Sequence, residues 1–129
     1  MRHNVMLVVD SVSMLGFLQW VFKDESYYLF DYNNPSEALA VINTLKWAVV
    51  VAERYLQDMD GIEFLKIVRE KSPHTMGIIM TGYAENSELL NKLYPNCVYQ
   101  FVKKPLDNRE IKQAVETAIT QYEINVGSK

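Results

Sequence analysis

Trp47-Ala48-Val49-Val50-Val51-Ala52-Glu53, continued by Arg54-Tyr55-Leu56-Gln57-Asp58-Met59-Asp60-Gly61, decides the fold. Its first six residues are apolar and rich in β-branched side chains, which suits a strand buried on both faces, as in a parallel sheet. The run stops at Glu53, its first charge. A polar loop follows, and Asp60-Gly61 opens an amphipathic segment with Ile62, Phe64, Leu65, Ile67 and Val68 apolar. That spacing predicts a helix to Lys71, ended by Ser72-Pro73. Ligands of open α/β sheets sit outside the carboxyl ends of the strands. The Glu53 carboxylate, at such a tip, is the first candidate for chemistry.

Working outward, the same unit repeats. Val5 to Val9 is an apolar run closed by Asp10. Ser11 can cap the helix that follows, whose apolar positions 14, 15, 18, 21 and 22 keep a helical period. Tyr27 to Tyr32 is short and aromatic-rich, a second strand. Asn34 reads as an N-cap, Pro35 as the first helical residue and Glu37 as the capping-box partner, with Ala38, Leu39, Val41, Ile42 and Leu45 as the buried stripe. Beyond the central stretch, Met76 to Met80 is a fourth strand closed by Thr81-Gly82. A fourth helix starts at Asn86 or Ser87, runs through Leu89, Leu90 and Leu93, and stops at Tyr94-Pro95. Val98 to Val102 is a fifth strand followed by Lys103-Lys104-Pro105. Asp107 and Glu110 form another capping box, before a helix that buries Ile111, Val115, Ala118, Ile119 and Tyr122. Five alternations of strand and helix predict an α/β fold with a five-stranded parallel sheet flanked by helices.

Composition narrows the classes. The chain has 129 residues, 49% of them apolar, enough for a single domain with a real core. A net charge of −3 with scattered basic residues gives no electrostatic case for nucleic acid. Cys97 is the single cysteine, so no internal disulfide forms; a reducing compartment and a cytoplasmic location are expected, with Cys97 as a small core residue. No apolar run approaches a membrane span, so no membrane contact is expected. Trp20 and Trp47 read as core or domain-contact residues. The expected domain is 1–124, with 125–129 as a frayed tail.

Asp10, Glu53, Thr81 and Lys104 each follow a predicted strand. In a parallel sheet such tips share one edge, so the four side chains should converge. Two acids, a hydroxyl and an amine there suit a phosphate or metal site. Taken singly, each is better read as a helix cap or a solvated loop residue; four at successive strand ends weaken that reading.

Here the chain resembles the receiver domain of two-component response regulators. The matching segments are Met6-Leu7-Val8-Val9-Asp10, Met59-Asp60-Gly61-Ile62-Glu63-Phe64-Leu65, Met80-Thr81-Gly82-Tyr83-Ala84 and Phe101-Val102-Lys103-Lys104-Pro105. The resemblance implies a flavodoxin-like, CheY-like sheet in the order 2-1-3-4-5. It also implies a phosphorelay role in which an acidic pair binds Mg²⁺ and an Asp at the third strand tip accepts a phosphoryl group from a histidine kinase. A Thr or Ser and a Lys then contact that group, and an aromatic on the fifth strand changes rotamer. Asp10 matches the first acid, and Thr81, Lys104 and Phe101 match the last three roles. The fourth helix, fifth strand and fifth helix, with Tyr83 and Tyr99, would form the face that receivers use for partners or dimers. Cognate signalling proteins or a C-terminal effector domain are the implied partners.

Two positions depart from the pattern. Ser11 stands where the second acid belongs, and Glu53 where the phosphoaccepting Asp belongs. Gln57 replaces the usual Pro of the loop, which should loosen it. Glu is a methylene longer than Asp, and a misplacement of ~1 Å can cost ~10²-fold in rate. A metal site of Asp10 and Glu53, with neutral Ser11, would hold Mg²⁺ weakly or not at all. The expectation is a pseudo-receiver, not an enzyme, that acts by protein contact, with Glu53 either reaching Lys104 and Thr81 and partly mimicking the modified state or simply solvating a vestigial pocket. The alternative is a phosphorylatable regulator that uses Glu53 or a neighbouring carboxylate with Mg²⁺. A nucleotide- or flavin-binding flavodoxin-like protein is a third reading. It is disfavoured because Asp10-Ser11-Val12-Ser13, not a Gly-rich loop, follows the first strand.

Overall fold

The structure, a computed structural model, describes residues 2–82, 86–94 and 97–127, without the side chains of Ser87, Asn91 and Leu93. The order is β1 (Asn4–Val8), α1 (Val12–Val21), β2 (Tyr28–Tyr32), α2 (Pro35–Ala40), β3 (Trp47–Glu53), β4 (Tyr55–Leu56) and β5 (Met59–Asp60). It continues with α3 (Gly61–Lys71), β6 (Met76–Thr81), α4 (Ser87–Leu93), β7 (Gln100–Lys103) and α5 (Asn108–Gly127). Five strands pair in parallel in the order β2-β1-β3-β6-β7. Among the sheet strands alone this is 2-1-3-4-5, the flavodoxin-like order expected. β4 and β5 form a separate antiparallel pair inside the loop that the sequence reads as merely polar.

Every residue of β3 is buried. Successive side chains of a strand point to opposite faces, so β3 feeds two cores. Val49 and Val51 join Val5 and Leu7 under α1 and α5, against Leu18, Val21, Ile111, Val115 and Ala118. Val50 and Ala52 join Met6 and Val8 on the other face, against Ala38, Ile62, Phe64, Leu65 and Val68. The N-caps hold as read, but among the described residues neither Glu37 nor Glu110 returns the reciprocal bond of a capping box: Ser11 Oγ accepts from Met14 N (3.3 Å) and Asn34 Oδ1 from Glu37 N (2.9 Å). Asp107 Oδ1 likewise accepts from Arg109 N (2.8 Å) and Glu110 N (3.2 Å).

Three expectations change. The second helix ends at Ala40, because Val41 O is taken by Thr44 N (3.0 Å), Thr44 Oγ1 (2.7 Å) and Trp47 Nε1 (3.3 Å). Leu45 is therefore exposed rather than part of a buried stripe. Trp47 is core, whereas Trp20 is 56% exposed, with Lys23 Nζ 5.9 Å from its ring centroid, which removes the core half of its reading and leaves the domain-contact half untouched. The last helix runs to Gly127, so residues 125–127 of the expected tail are helical; Ser128 and Lys129 lie outside the described residues. Cys97 is half-buried at the edge of the α3-side core, and desolvation raises its thiol pKa.

Candidate functional site

The parallel register sets the rim. Glu53 lies opposite Met80, and the chain past each tip is tied down by Arg54 N to Met80 O (2.9 Å) and Lys104 N to Thr81 O (2.8 Å). Gly61 fixes the start of α3 against the tip of β3. A Cβ there would stand 2.1 Å from Glu53 O, so only glycine fits, and Gly61 N donates to Arg54 O (2.8 Å). Asp60 caps α3 through Oδ1 to Ile62 N (2.7 Å), while its Oδ2 pairs with Arg54.

Glu53 and Lys104, 51 residues apart in the chain, meet directly: Lys104 Nζ donates to Glu53 Oε2 at 2.5 Å. The Glu53 side chain is 6% exposed and that of Lys104 32%. Glu53 Oε1 and Thr81 Oγ1 are both buried without a hydrogen-bond partner among the described residues. Thr81 thus shares the rim through its backbone tie to Lys104. Asp10 and Ser11 lie at the same edge but are exposed. Asp10 Oδ2 accepts from Gln57 N (3.2 Å), and the Ser11 hydroxyl is the cap of α1. Phe101 sits three residues before Lys104, 5% exposed in the α3-side core.

Gln57 brings the loop a contact of its own. Its N–H, which proline would lack, ties the loop to Asp10, and the β4–β5 ladder and the Arg54–Asp60 pair brace the same loop. The signal was available in a residue that restores a donor, but neither a two-residue ladder nor a single long-range bond has a periodicity to read.

A Mg²⁺ ion asks for octahedral oxygen coordination with carboxylates among its ligands. The rim offers one exposed carboxylate already hydrogen-bonded to Gln57, one hydroxyl engaged as a cap, and a glutamate with one oxygen held by an ammonium group and the other unpartnered but buried. These residues do not fit that ion. Among the described residues no group of three or more His, Cys, Asp or Glu is placed to hold a metal, and no helix is long and apolar enough to cross a membrane.

A doubly wound sheet with an acid, a hydroxyl and a lysine on adjoining carboxyl tips defines a receiver-type signalling domain. The family model of the response regulator receiver domain matches residues 5–116, and the chain belongs to that family. It is 29% identical over 121 residues to the DNA-binding transcriptional regulator NtrC of Proteus hauseri, covering 94% of this chain and 25% of that protein. It is equally 29% identical over 116 residues to sporulation initiation phosphotransferase F of Bacillus subtilis, covering 90% of this chain and 93% of that one. The chain thus spans about a quarter of the length of NtrC and of the hydrogenase transcriptional regulatory protein HoxA of Cupriavidus necator. The signal receiver domain of a putative Luxo repressor protein from Vibrio parahaemolyticus superposes with a TM-score of 0.88 at 24% identity over 100% of both chains. The beryllofluoride-activated NtrC4 receiver domain dimer superposes with a TM-score of 0.82 at 24% identity, covering 92% and 98% of the two chains. At these identities the structural likenesses speak to the fold.

Proposed function

We propose that this receiver domain signals by protein contact, with the Glu53–Lys104 pair standing where a phosphoryl group would meet the lysine of a phosphorylated receiver. The observation that supports this is the 2.5 Å bond from Lys104 Nζ to Glu53 Oε2. Phosphoryl transfer to a carboxylate needs a free oxygen in line with phosphorus and a charge-neutralising site around it. Here one Glu53 oxygen is already held by the cation that would stabilise the incoming group, and the acids that would bind Mg²⁺ are reduced to Asp10. The domain works on this reading without a phosphorylation cycle, and its partner reads a rim with the lysine permanently engaged.

The contact face follows from the family resemblance: α4, β7 and α5. Leu89 is 52% exposed and Tyr99 38% exposed there, which suits a protein partner or a second copy. Tyr83 lies outside the described residues. A C-terminal effector domain, in a longer protein of which this chain covers a part, is the other partner proposed. The net charge of −3 assigns no nucleic-acid contact to this domain.

The test is incubation with a small acyl phosphate and Mg²⁺, followed by intact-protein mass measurement. The mass should stay unchanged. A phosphoryl adduct that disappears in Glu53→Gln or Asp10→Asn would transfer support to the phosphorylatable reading, in which the unpartnered Glu53 Oε1 is the attacking atom. Mimicry has its own readout: Glu53→Gln should shift the amide resonances of Tyr99 and Phe101 as well as those of the rim. Shifts confined to the neighbours of residue 53 would leave the pair without influence on the contact face.

A further inference from the structure

The opposite edge of the sheet, where the strands begin, carries a second concentration of chemistry. Two adjoining cavities open there. One, of about 370 Å³, lies between the segment that leads into β3 and the turn from α3 to β6, and is lined by Lys46, Lys71 and His74. The other, of about 530 Å³, lies between the N-terminal residues and the end of α5, and is lined by Arg2 and His3. Lys46, Tyr122 and Val126 line both, so the two form one groove. Each is of the size of small-molecule sites.

The charge in this groove runs against that of the chain. The protein carries a net −3, yet Arg2, Lys46 and Lys71 gather at this edge with two imidazoles. Glu123 is the one acid among the lining residues, and it faces His3 at 3.5 Å. Among the described residues neither Lys46 nor Lys71 has a carboxylate within ion-pair distance. Both ammonium groups are exposed, and the half-buried Tyr122, edge-on to His3, supplies an aromatic surface between the two basic ends. Cations at both ends of the groove, with Lys46 beside Tyr122 and Val126 where the two cavities join, match an anion that is itself extended.

We propose that this groove binds an organic phosphate, with anionic groups at the Lys71–His74 end and at the Arg2 end, and its body against Tyr122 and Val126 at the junction, where Lys46 adds a third cation. The site is independent of the Glu53 rim. The groove lies below the sheet, where the first residues of β1 and β3 and the last turn of α5 meet.

The experiment is a titration of the ¹⁵N-labelled protein at low ionic strength with three probes: pyrophosphate, fructose 1,6-bisphosphate and ATP. Either organic phosphate should shift the amide resonances of Lys46, Lys71, His74 and Tyr122 saturably while leaving Glu53 and Lys104 still. It should bind more tightly than pyrophosphate, and affinity should fall as salt is raised. Lys46→Ala and Lys71→Ala should each weaken it roughly fivefold, the worth of a surface ion pair. Both lysines are exposed, so the variants keep the fold, which their spectra check directly. The proposal fails if neither organic phosphate binds by about 10 mM, or if the shifts appear at the Glu53 rim. It also fails if the lysine variants bind unchanged, or if pyrophosphate binds as tightly as the organic phosphates.

Discussion

At the scale of single residues, the rim turns on one ion pair, Glu53 with Lys104. Glu53 is nearly enclosed while Lys104 keeps a third of its side chain in water, so the two partners of the ion pair are not equivalent. Removing the cation strands a buried carboxylate, which is the costly half of breaking such a pair. Lys104→Ala should therefore destabilise the fold by about 2 kcal/mol, discounted from the fully buried case because water reaches the lysine side. Glu53→Gln leaves a lysine that can turn to solvent, and should cost about 1 kcal/mol or less. Urea unfolding of the two variants measures this order, and a costlier Glu53→Gln would show that the pair is not arranged as described. The proposed loss of phosphoryl transfer is also testable at the scale of residues. Shortening the acid and restoring its neighbour, Glu53→Asp with Ser11→Asp, should give a protein that takes up phosphate from an acyl phosphate in Mg²⁺. The gain over the parent should be about 10²-fold or more, the scale of a ~1 Å repositioning. Aspartate at position 11 keeps the helix cap, so the fold is not at risk. Intact-mass time courses of parent and double variant decide it; equal, negligible labelling of both would place the defect elsewhere.

At the scale of elements, the rim depends on how closely α3 approaches the end of β3. Gly61→Ala would push a methyl group into Glu53 O, a backbone atom that cannot swing aside. The expected loss is about 1–3 kcal/mol, the range for overpacking, and because the strained atom belongs to Glu53 the Lys104 resonances should move too. Thermal unfolding with an NMR comparison tests both halves, and an alanine variant of unchanged stability would overturn the argument. What the sequence revealed about elements follows their physics. β3 was legible because a strand buried on both faces is a continuous apolar run. The caps at Ser11, Asn34 and Asp107 were legible because a short polar side chain just before a periodic apolar stretch has one common use. The convergence of Glu53 and Lys104 followed from strand order and polarity. The end of α2 was not legible, because apolar residues at 41, 42 and 45 continue a helical period that the hydrogen bonds of Thr44 and Trp47 override. The β4–β5 ladder and the Gln57–Asp10 bond were hidden for a related reason: they hang on single backbone donors. Trp20 shows the limit of reading burial from residue type, since α1 buries Leu18 and Val21 and turns the indole outward.

At the scale of the whole molecule, the two cores on either side of the sheet hold few polar groups, and Tyr27 is one of them. Its ring packs with Phe22 at 5.9 Å, while its hydroxyl is buried without a partner among the described residues. Burial, with smaller contributions from Glu25 and Glu116, holds the Tyr27 phenol well above the ordinary tyrosine value of about 10. The folded state keeps the proton more tightly than the unfolded state does. Stability from this group is therefore complete below pH of about 10 and is lost as the pH rises above it, where the unfolded chain ionises and the folded one does not. Tyr27→Phe removes both the titration and the unpartnered hydroxyl while keeping the ring contact. At neutral pH the variant should match the parent or exceed it by about 1 kcal/mol, since an unsatisfied buried hydroxyl costs about that much or more. Above pH of about 10 its advantage should widen, because the phenylalanine chain has no phenol to ionise on unfolding. Urea midpoints of parent and variant at neutral and at alkaline pH give the comparison directly. A variant weaker by more than about 1 kcal/mol at neutral pH would mean that the hydroxyl is bonded in solution. A difference between the two proteins that stays constant across the alkaline range would mean that the phenol titrates alike in both states and that the fold does not hold its proton.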